Sequence, residues 1–483
     1  MHLADLAVIG AYLLFITWFG AQFKENQRSL KDYFLGGRGA PWWAISLSIV
    51  SAETSTLTVI GTPAISFGGN FTFLQLIFGY LLGRVVISVL FLPQYFRGEM
   101  FTAYELMQRR FGPRVRKFAA GTFFLLRALA EGLRVFAVSI VVSVVLGTGE
   151  LTSIFVIVAL TLFYTFEGGM TAVIWTDVVQ MILYVGGALA SFFLMVHLIP
   201  GGWAHVAEVG RANGKFQVFD FHFALSPTFF MKSYSFWAGL LGGCFLTTAS
   251  HGTEQLLVQR LLSAKNQHES RLALFASWIV IFFQFTLFLT IGVLLFVYYG
   301  DTGRPTPPVI EQIYPQFIWN NFPPGLAGLA IAAIVAAAMS NLSAALNALA
   351  STTIMDFLRP QNPNKPELLY LRLARWATVA WSVILFAVAI LARHWGRVLE
   401  SGLSIASVLY GALLGVFLLG VLTRRPGEWA AIVGMSAGFL TTLVMRSHVA
   451  YTWYVLIGSS VTFSVGYGFS LLVPERTAEL AER

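Results

Sequence analysis

Ala337, Ser340 and Asn341 stand at i, i+3 and i+4, so a helix over this stretch puts all three on one face, which Ser343, Ala344 and Asn347 continue. Small residues on one face let two membrane helices approach closely. The same residues, set against free backbone carbonyls, complete the roughly five oxygens that a hard cation such as sodium takes in place of water. The run Ser51-Ala52-Glu53-Thr54-Ser55-Thr56 supplies such carbonyls if its helix is interrupted there. Spacing alone leaves the packing seam and the cation face both open.

Four further groups carry charge or protons. Asp177 sits just inside an apolar stretch with no basic residue within a helical turn, either as an intramembrane carboxylate with a function or as a first-turn acid favoured by the helix dipole. Glu53 lies at the centre of its stretch, where an ionised acid needs a partner, a proton or a cation, or hydrogen bonds from amides freed by a helix break. Arg127, Glu131 and Arg134 occupy i, i+4 and i+7, so each arginine pairs with the acid between them as a structural triad or a gate. His251 and Gln75 are polar residues near the expected cavity walls, and a lone histidine there also reads as a hydrogen-bonded packing residue.

These residues are carried by apolar elements. Of 483 residues 57% are hydrophobic and 11% charged, with mean hydropathy +0.72, against about 25% charged in a soluble domain. We read about thirteen stretches long enough to cross about 30 Å of hydrocarbon: 3–23, 41–66, 71–93, 118–145, 152–166, 171–198, 234–253, 271–299, 325–350, 373–393, 398–422, 430–447 and 452–473. The first is followed, not preceded, by Lys24, Arg28, Lys31 and Arg38, the reverse of a signal peptide, and is expected to remain as a helix. The net charge of +8 gives no reason to invoke nucleic acid. Its basic residues gather in alternate loops, most densely at Arg97, Arg109, Arg110, Arg114, Arg116 and Lys117, which predicts an N-terminus outside and a C-terminus in the cytoplasm of a multi-pass inner (plasma) membrane protein. The single cysteine, Cys244, excludes an internal disulfide.

The organisation expected is one membrane transport domain over 1–483: a leading helix at 3–23, repeats of opposite orientation at 41–198 and 234–422, and two final helices at 430–473. Each repeat opens on a Trp-Ala pair, Trp43-Ala44 or Trp237-Ala238, and runs into Gly and hydroxyl residues that predict a discontinuous helix near the midplane, the second through Gly242-Gly243 and Thr247 to Gly252. No hydrolase triad, metal-hydrolase or phosphate-loop signature is present, because the Gly pairs at 68–69, 168–169 and 242–243 lack the required spacing and lysine. An enzyme and an ATP-driven pump are therefore disfavoured. The tail of about ten residues after Val473 is expected to leave no room for a signalling extension, which weighs against a sensor built on this fold.

Three runs carry a family resemblance: Asp32-Tyr33-Phe34-Leu35-Gly36-Gly37-Arg38 with Pro41-Trp42-Trp43-Ala44, Gly168-Gly169-Met170-Thr171-Ala172-Val173-Ile174-Trp175-Thr176-Asp177-Val178-Val179-Gln180, and Met339-Ser340-Asn341-Leu342-Ser343-Ala344-Ala345-Leu346-Asn347. With them the chain resembles the sodium:solute symporter family. The resemblance implies an all-α membrane fold with a five-plus-five inverted-repeat core, broken first and sixth core helices, and alternating access that couples Na+ to a small polar organic solute: a monocarboxylate, an amino acid such as proline, sialic acid or similar. It places the principal sodium on Ser51, Thr54, Ala337, Ser340 and Asn341, the last a departure from the family's usual Ser or Thr hydroxyl. It places a second sodium on Asp177, Ser340 and Ser343, with Ala344 lacking the usual oxygen. Thr58, Gln75, Thr247, Ser250 and His251 would line the solute cavity, with Glu53 and the Arg127–Glu131–Arg134 triad as coupling or gating groups. The partners implied are the solute, sodium and the bilayer, with no obligatory protein partner. Proton coupling through Glu53 or Asp177, and a channel that has kept the fold, are the alternatives.

Overall fold

The computed structural model describes residues 3–26, 28–146, 149–308, 310–392 and 398–473, which form helices and, among the described residues, no strand. The principal helices are α1 (Leu3–Ala21), α2 (Trp42–Glu53), α3 (Thr56–Gly68), α4 (Leu74–Val86), α5 (Pro113–Leu146), α6 (Glu150–Leu198), α7 (Gly243–Gly252), α8 (Gln255–Leu262), α9 (Gln267–Thr302), α10 (Leu326–Thr352), α11 (Glu367–Ala392), α12 (Val398–Leu422), α13 (Glu428–Met445) and α14 (Tyr451–Leu472). Among the described residues, 8 helices are long and apolar enough to cross a membrane, or 9 if α2 and α3 form one span bent by 63°. The stretches 152–166 and 171–198 both fall in α6, which is interrupted only at Gly169, where φ is 54°, a conformation that suits a residue without Cβ. Residue 393, the expected end of the tenth stretch, and the tail after Val473 with its expected cytoplasmic terminus lie outside the described residues.

The first broken helix follows from local hydroxyl chemistry. Thr54 is extended at φ −87° and ψ 107°, and Ser55 restarts the chain as the N-cap of α3. Ser55 Oγ accepts from the Thr58 amide at 3.4 Å, and Thr58 Oγ1 accepts from the Ser55 amide at 3.3 Å. This reciprocal box satisfies donors that a helix start leaves open.

The second break lies just past the run Gly242-Gly243 and Thr247 to Gly252 that pointed to it. Those glycines belong to continuous helix through Gly252, and the interruption is at Thr253 and Glu254. The glycines serve packing: a Cβ on Gly243 would lie 2.4 Å from the Leu76 carbonyl, and one on Gly79 of α4 would lie 2.4 Å from the Gly239 carbonyl. The carbonyl freed at Gly252 accepts from Tyr95 Oη at 2.5 Å, so unwound backbone persists in the interior without an unmet acceptor there.

Helix α10 is the axis of the bundle. Every residue from Ala330 to Thr352 is buried, against α1, α5 and α6, and the Ala-rich sequence permits that closeness. Its N-terminus is capped from another helix: Asp5 of α1 accepts from the amides of Gly325 at 2.7 Å and Gly328 at 2.9 Å. Asp5→Ala leaves both amides without that acceptor, at a cost of about 1–3 kcal/mol. A thermal melt of the purified protein should show a lower midpoint for Asp5→Ala than for Asp5→Asn, which keeps an acceptor oxygen.

Candidate functional site

The face read from Ala337, Ser340 and Asn341 meets the first break. Asn341 Nδ2 donates to the Thr54 carbonyl at 2.8 Å and to the Ala337 carbonyl at 3.1 Å. These carbonyls come from different helices and converge on one electropositive nitrogen. Ser340 Oγ donates to Asp177 Oδ1 at 2.6 Å and stands 2.8 Å from Ser51 Oγ. A hydroxyl has one proton, so with Ser340 donating to the acid, Ser51 donates to Ser340. Beside them Gln284 Nε2 of α9 donates to Thr54 Oγ1 at 2.7 Å, while Gln284 Oε1 and the Tyr184 hydroxyl are buried without a hydrogen-bond partner. Oxygens from α2, α6, α9 and α10 thus gather beside the first break, and their chemistry fits a hard cation once the Asn341 amide turns its oxygen inward.

Asp177 has a fixed counter-charge that the sequence did not reveal. Arg260 Nη2 lies 2.7 Å from Asp177 Oδ2, and Ser48 Oγ donates to the same oxygen at 2.5 Å. Arg260 also donates through Nε to Ser48 Oγ at 2.8 Å and through Nη1 to the Leu256 carbonyl at 2.8 Å. Ser343 Oγ donates back to the Ser340 carbonyl at 2.9 Å. The residues of the second cation set are therefore adjacent, with the acid's charge already balanced.

The expected solute-lining residues divide into two groups. Glu53, His251, Ser250 and Thr247 meet where α2 and α7 end: His251 Nε2 lies 3.1 Å from Glu53 Oε2, and Ser250 Oγ 2.9 Å from His251 Nδ1. Thr247 packs directly on Gly83 of α4. Arg84 of α4 completes this group with Nη2 2.9 Å from Glu53 Oε2. Thr58 is engaged in its capping box. Gln75 is tied to the segment that precedes α7: its Nε2 donates to the Thr72 and Tyr234 carbonyls at 3.0 and 3.3 Å, and its Oε1 accepts from the Asp220 amide at 2.9 Å. In that segment the Lys232 ammonium hydrogen-bonds Asp220 and holds its carboxyl below the ordinary range.

The triad forms as its spacing requires, with Arg127 Nη1 3.5 Å and Arg134 Nη1 3.2 Å from Glu131 Oε2. Arg127 also pairs with Glu254 at the second break, and Tyr410 of α12 donates to the other oxygen of that acid. Arg84, Arg260, Glu254 and Tyr410 were absent from the expected set. Arg84 had a signal, because an arginine inside an apolar run is costly without a partner. Arg260 and Glu254 had none, lying in a polar stretch that reads as loop.

The model of the family described as "Sodium:solute symporter family" matches residues 33–438. The chain is 28% identical to the "Sodium-coupled monocarboxylate transporter 2" of Bos taurus over 90% of this chain and 71% of that protein. The Danio rerio protein of the same name is 30% identical over 90% and 70%, and the human "Sodium/iodide cotransporter" 27% over 91% and 69%. Among solved structures, a substrate-bound, outward-open Na+-coupled sialic acid symporter superposes with TM-score 0.88 at 25% identity, covering 99% of both chains. A nucleobase-cation-symport-1 family transporter shares the fold, with TM-score 0.64 at 13% identity over 93% and 96%.

Asn341→Ser removes the amide that a cation must displace and restores a hydroxyl. The sodium concentration that gives half-maximal thermal stabilisation should fall by about fivefold, the equivalent of one net hydrogen bond of about 1 kcal/mol. A rise instead would show that the amide oxygen binds the ion more strongly there than a hydroxyl does.

Proposed function

The chain belongs to the sodium:solute symporter family, and from that premise we propose that it imports a small organic solute, a monocarboxylate by class, in symport with sodium through alternating access. The observation that carries this reading is the convergence of the Thr54 and Ala337 carbonyls on one electropositive point beside the Ser51–Ser340–Asp177 chain. Sodium would be held by the carbonyls of Ser51, Thr54 and Ala337, the Ser340 hydroxyl and the Asn341 amide oxygen. Ser340 keeps its proton on Asp177 while its lone pairs face the cation. The membrane domain would lie in the inner (plasma) membrane with the N-terminus outside, as two inverted repeats at 41–198 and 234–422 after the leading helix.

Arg260 against Asp177 supports one sodium per cycle, because a second cation at that acid would stand beside a guanidinium. One sodium with one monocarboxylate moves no net charge, so the membrane potential does no work on the cycle. A tenfold sodium gradient, about 1.4 kcal/mol, then supports about tenfold accumulation; a neutral solute would add about 2.3 kcal/mol from 100 mV.

Proteoliposomes should therefore take up lactate only with an inward sodium gradient, and a potassium diffusion potential should leave the plateau unchanged. Equal uptake in potassium medium would sink the sodium reading, and a large solute-independent sodium current would mark a channel.

Ser340→Ala tests the site directly. Loss of one cation ligand should raise the half-saturating sodium concentration by about tenfold, the equivalent of about 1.4 kcal/mol, while solute affinity at saturating sodium changes less because the coupling is reciprocal. A packing seam alone would leave the sodium curve in place.

A further inference from the structure

We propose that Arg84 is the docking point for the carboxylate of the transported solute, an inference that rests on the sodium-coupled reading above and names the group that recognises the anion. Arg84 has no exposed surface. Its Nε faces the Leu274 carbonyl at 3.2 Å and Ser277 Oγ at 3.4 Å, and its Nη2 pairs with Glu53 Oε2 at 2.9 Å. Its Nη1 is buried without a hydrogen-bond partner. A guanidinium arm left dry and unpaired is costly, and a carboxylate is the ligand whose geometry and charge meet it.

This arm stands beside both interrupted helices. Glu53 is the last residue of α2 and His251 the penultimate residue of α7, so the two half-helices present their ends to Arg84 together. The neighbours that face it are one acid and neutral donors. His251 Nε2 lies 3.1 Å from Glu53 Oε2 and its Nδ1 2.9 Å from Ser250 Oγ, an arrangement satisfied by a neutral ring with its proton on Nε2. Arg84 Nη2 then meets His251 Nε2 at 3.5 Å as donor beside donor, a contact and not a bond. The Glu53 side chain is 13% exposed, so the group opens to accessible space on the acid's side.

Charge then accounts for coupling. Glu53 and Arg84 are neutral together, and an incoming carboxylate makes the group net negative. Sodium between the Ser51 and Thr54 carbonyls, which bracket Glu53 in the chain, restores neutrality within a few residues. Each ion therefore raises the affinity of the other, and Glu53 sets how strongly the anion depends on sodium.

The experiment titrates the purified full-length protein with lactate, propionate, lactamide and propionamide, with and without sodium, following thermal stabilisation and liposome uptake. The wild type should prefer each acid over its amide by about thirtyfold, the scale of a charge-assisted hydrogen bond. Glu53→Gln should retain acid binding and lose most of its sodium dependence. The double variant Glu53→Gln with Arg84→Gln, which removes both charges of the pair, should lose acid affinity by about thirtyfold or more while sodium alone still stabilises it. If the double variant fails to fold, Arg84→Lys keeps the charge without the planar fork and should lose about tenfold. A folded double variant that binds lactate like the wild type, or a wild type indifferent to acid against amide, overturns the proposal. Failure of the sodium reading would show separately, as wild-type lactate binding that ignores sodium.

Discussion

A carboxylate with no exposed surface, Asp177 of α6, holds Arg260 of α8, Ser48 of α2 and Ser340 of α10 at once. Taking a single ion pair out of water costs several kcal/mol per charge unless every remaining lone pair and proton is met. Here three donors meet the acid, and all three guanidinium nitrogens find acceptors, on Asp177, Ser48 and Leu256. Removing any one strand of this net leaves a buried charge short of partners. The consequence for the architecture is that α8, the half-helix beyond the second break, is tied to α2, the half-helix before the first. Two interrupted helices, which share no covalent link nearer than the intervening chain, are thereby fixed relative to α10.

This net also orients the Ser51–Ser340 face at the first break. The Ser340 hydroxyl has a permanent acceptor in Asp177, so its lone pairs point to the break and its proton does not. Arg260 keeps the acid from standing as a bare anion in a dry interior. Asn341 works in the same economy of donors: with a nitrogen between the Thr54 and Ala337 carbonyls, the break has no unmet acceptors there in the absence of an ion.

Much of this was legible in the residues, and the misses share one cause. Ser340, Asn341 and Ala337 are spaced by the helix itself, and their partners at Ser51 and Thr54 follow from a hydroxyl-rich interruption in an apolar run. Arg127, Glu131 and Arg134 likewise find each other through local periodicity. The position of the second break was not legible, because Gly242-Gly243 looks the same in sequence whether glycine loosens a helix or lets α4 approach to van der Waals contact; only the Gly79 and Leu76 carbonyl contacts decide. Gln75, which the resemblance places at the cavity, has its amide engaged by the Tyr234 and Asp220 backbone. Arg84 and Arg260 escaped because a long side chain finds its partner several turns and another helix away, a distance that no spacing rule covers.

The pairing of Arg127 with Glu254 ties the second break to two other helices. Glu254 sits at the interruption between α7 and α8, where backbone torsions change at least cost, and its carboxylate joins α5 through Arg127 and α12 through Tyr410. Two unit charges about 4 Å apart attract by about 4 kcal/mol near a protein surface and by about 1 kcal/mol in water. While this cluster is dry, the interaction holds α8 against α5 and α12, and once water enters the same charges part at little cost. Since α8 also carries Arg260, the cluster at Glu254 and the net around Asp177 are held on one short helix.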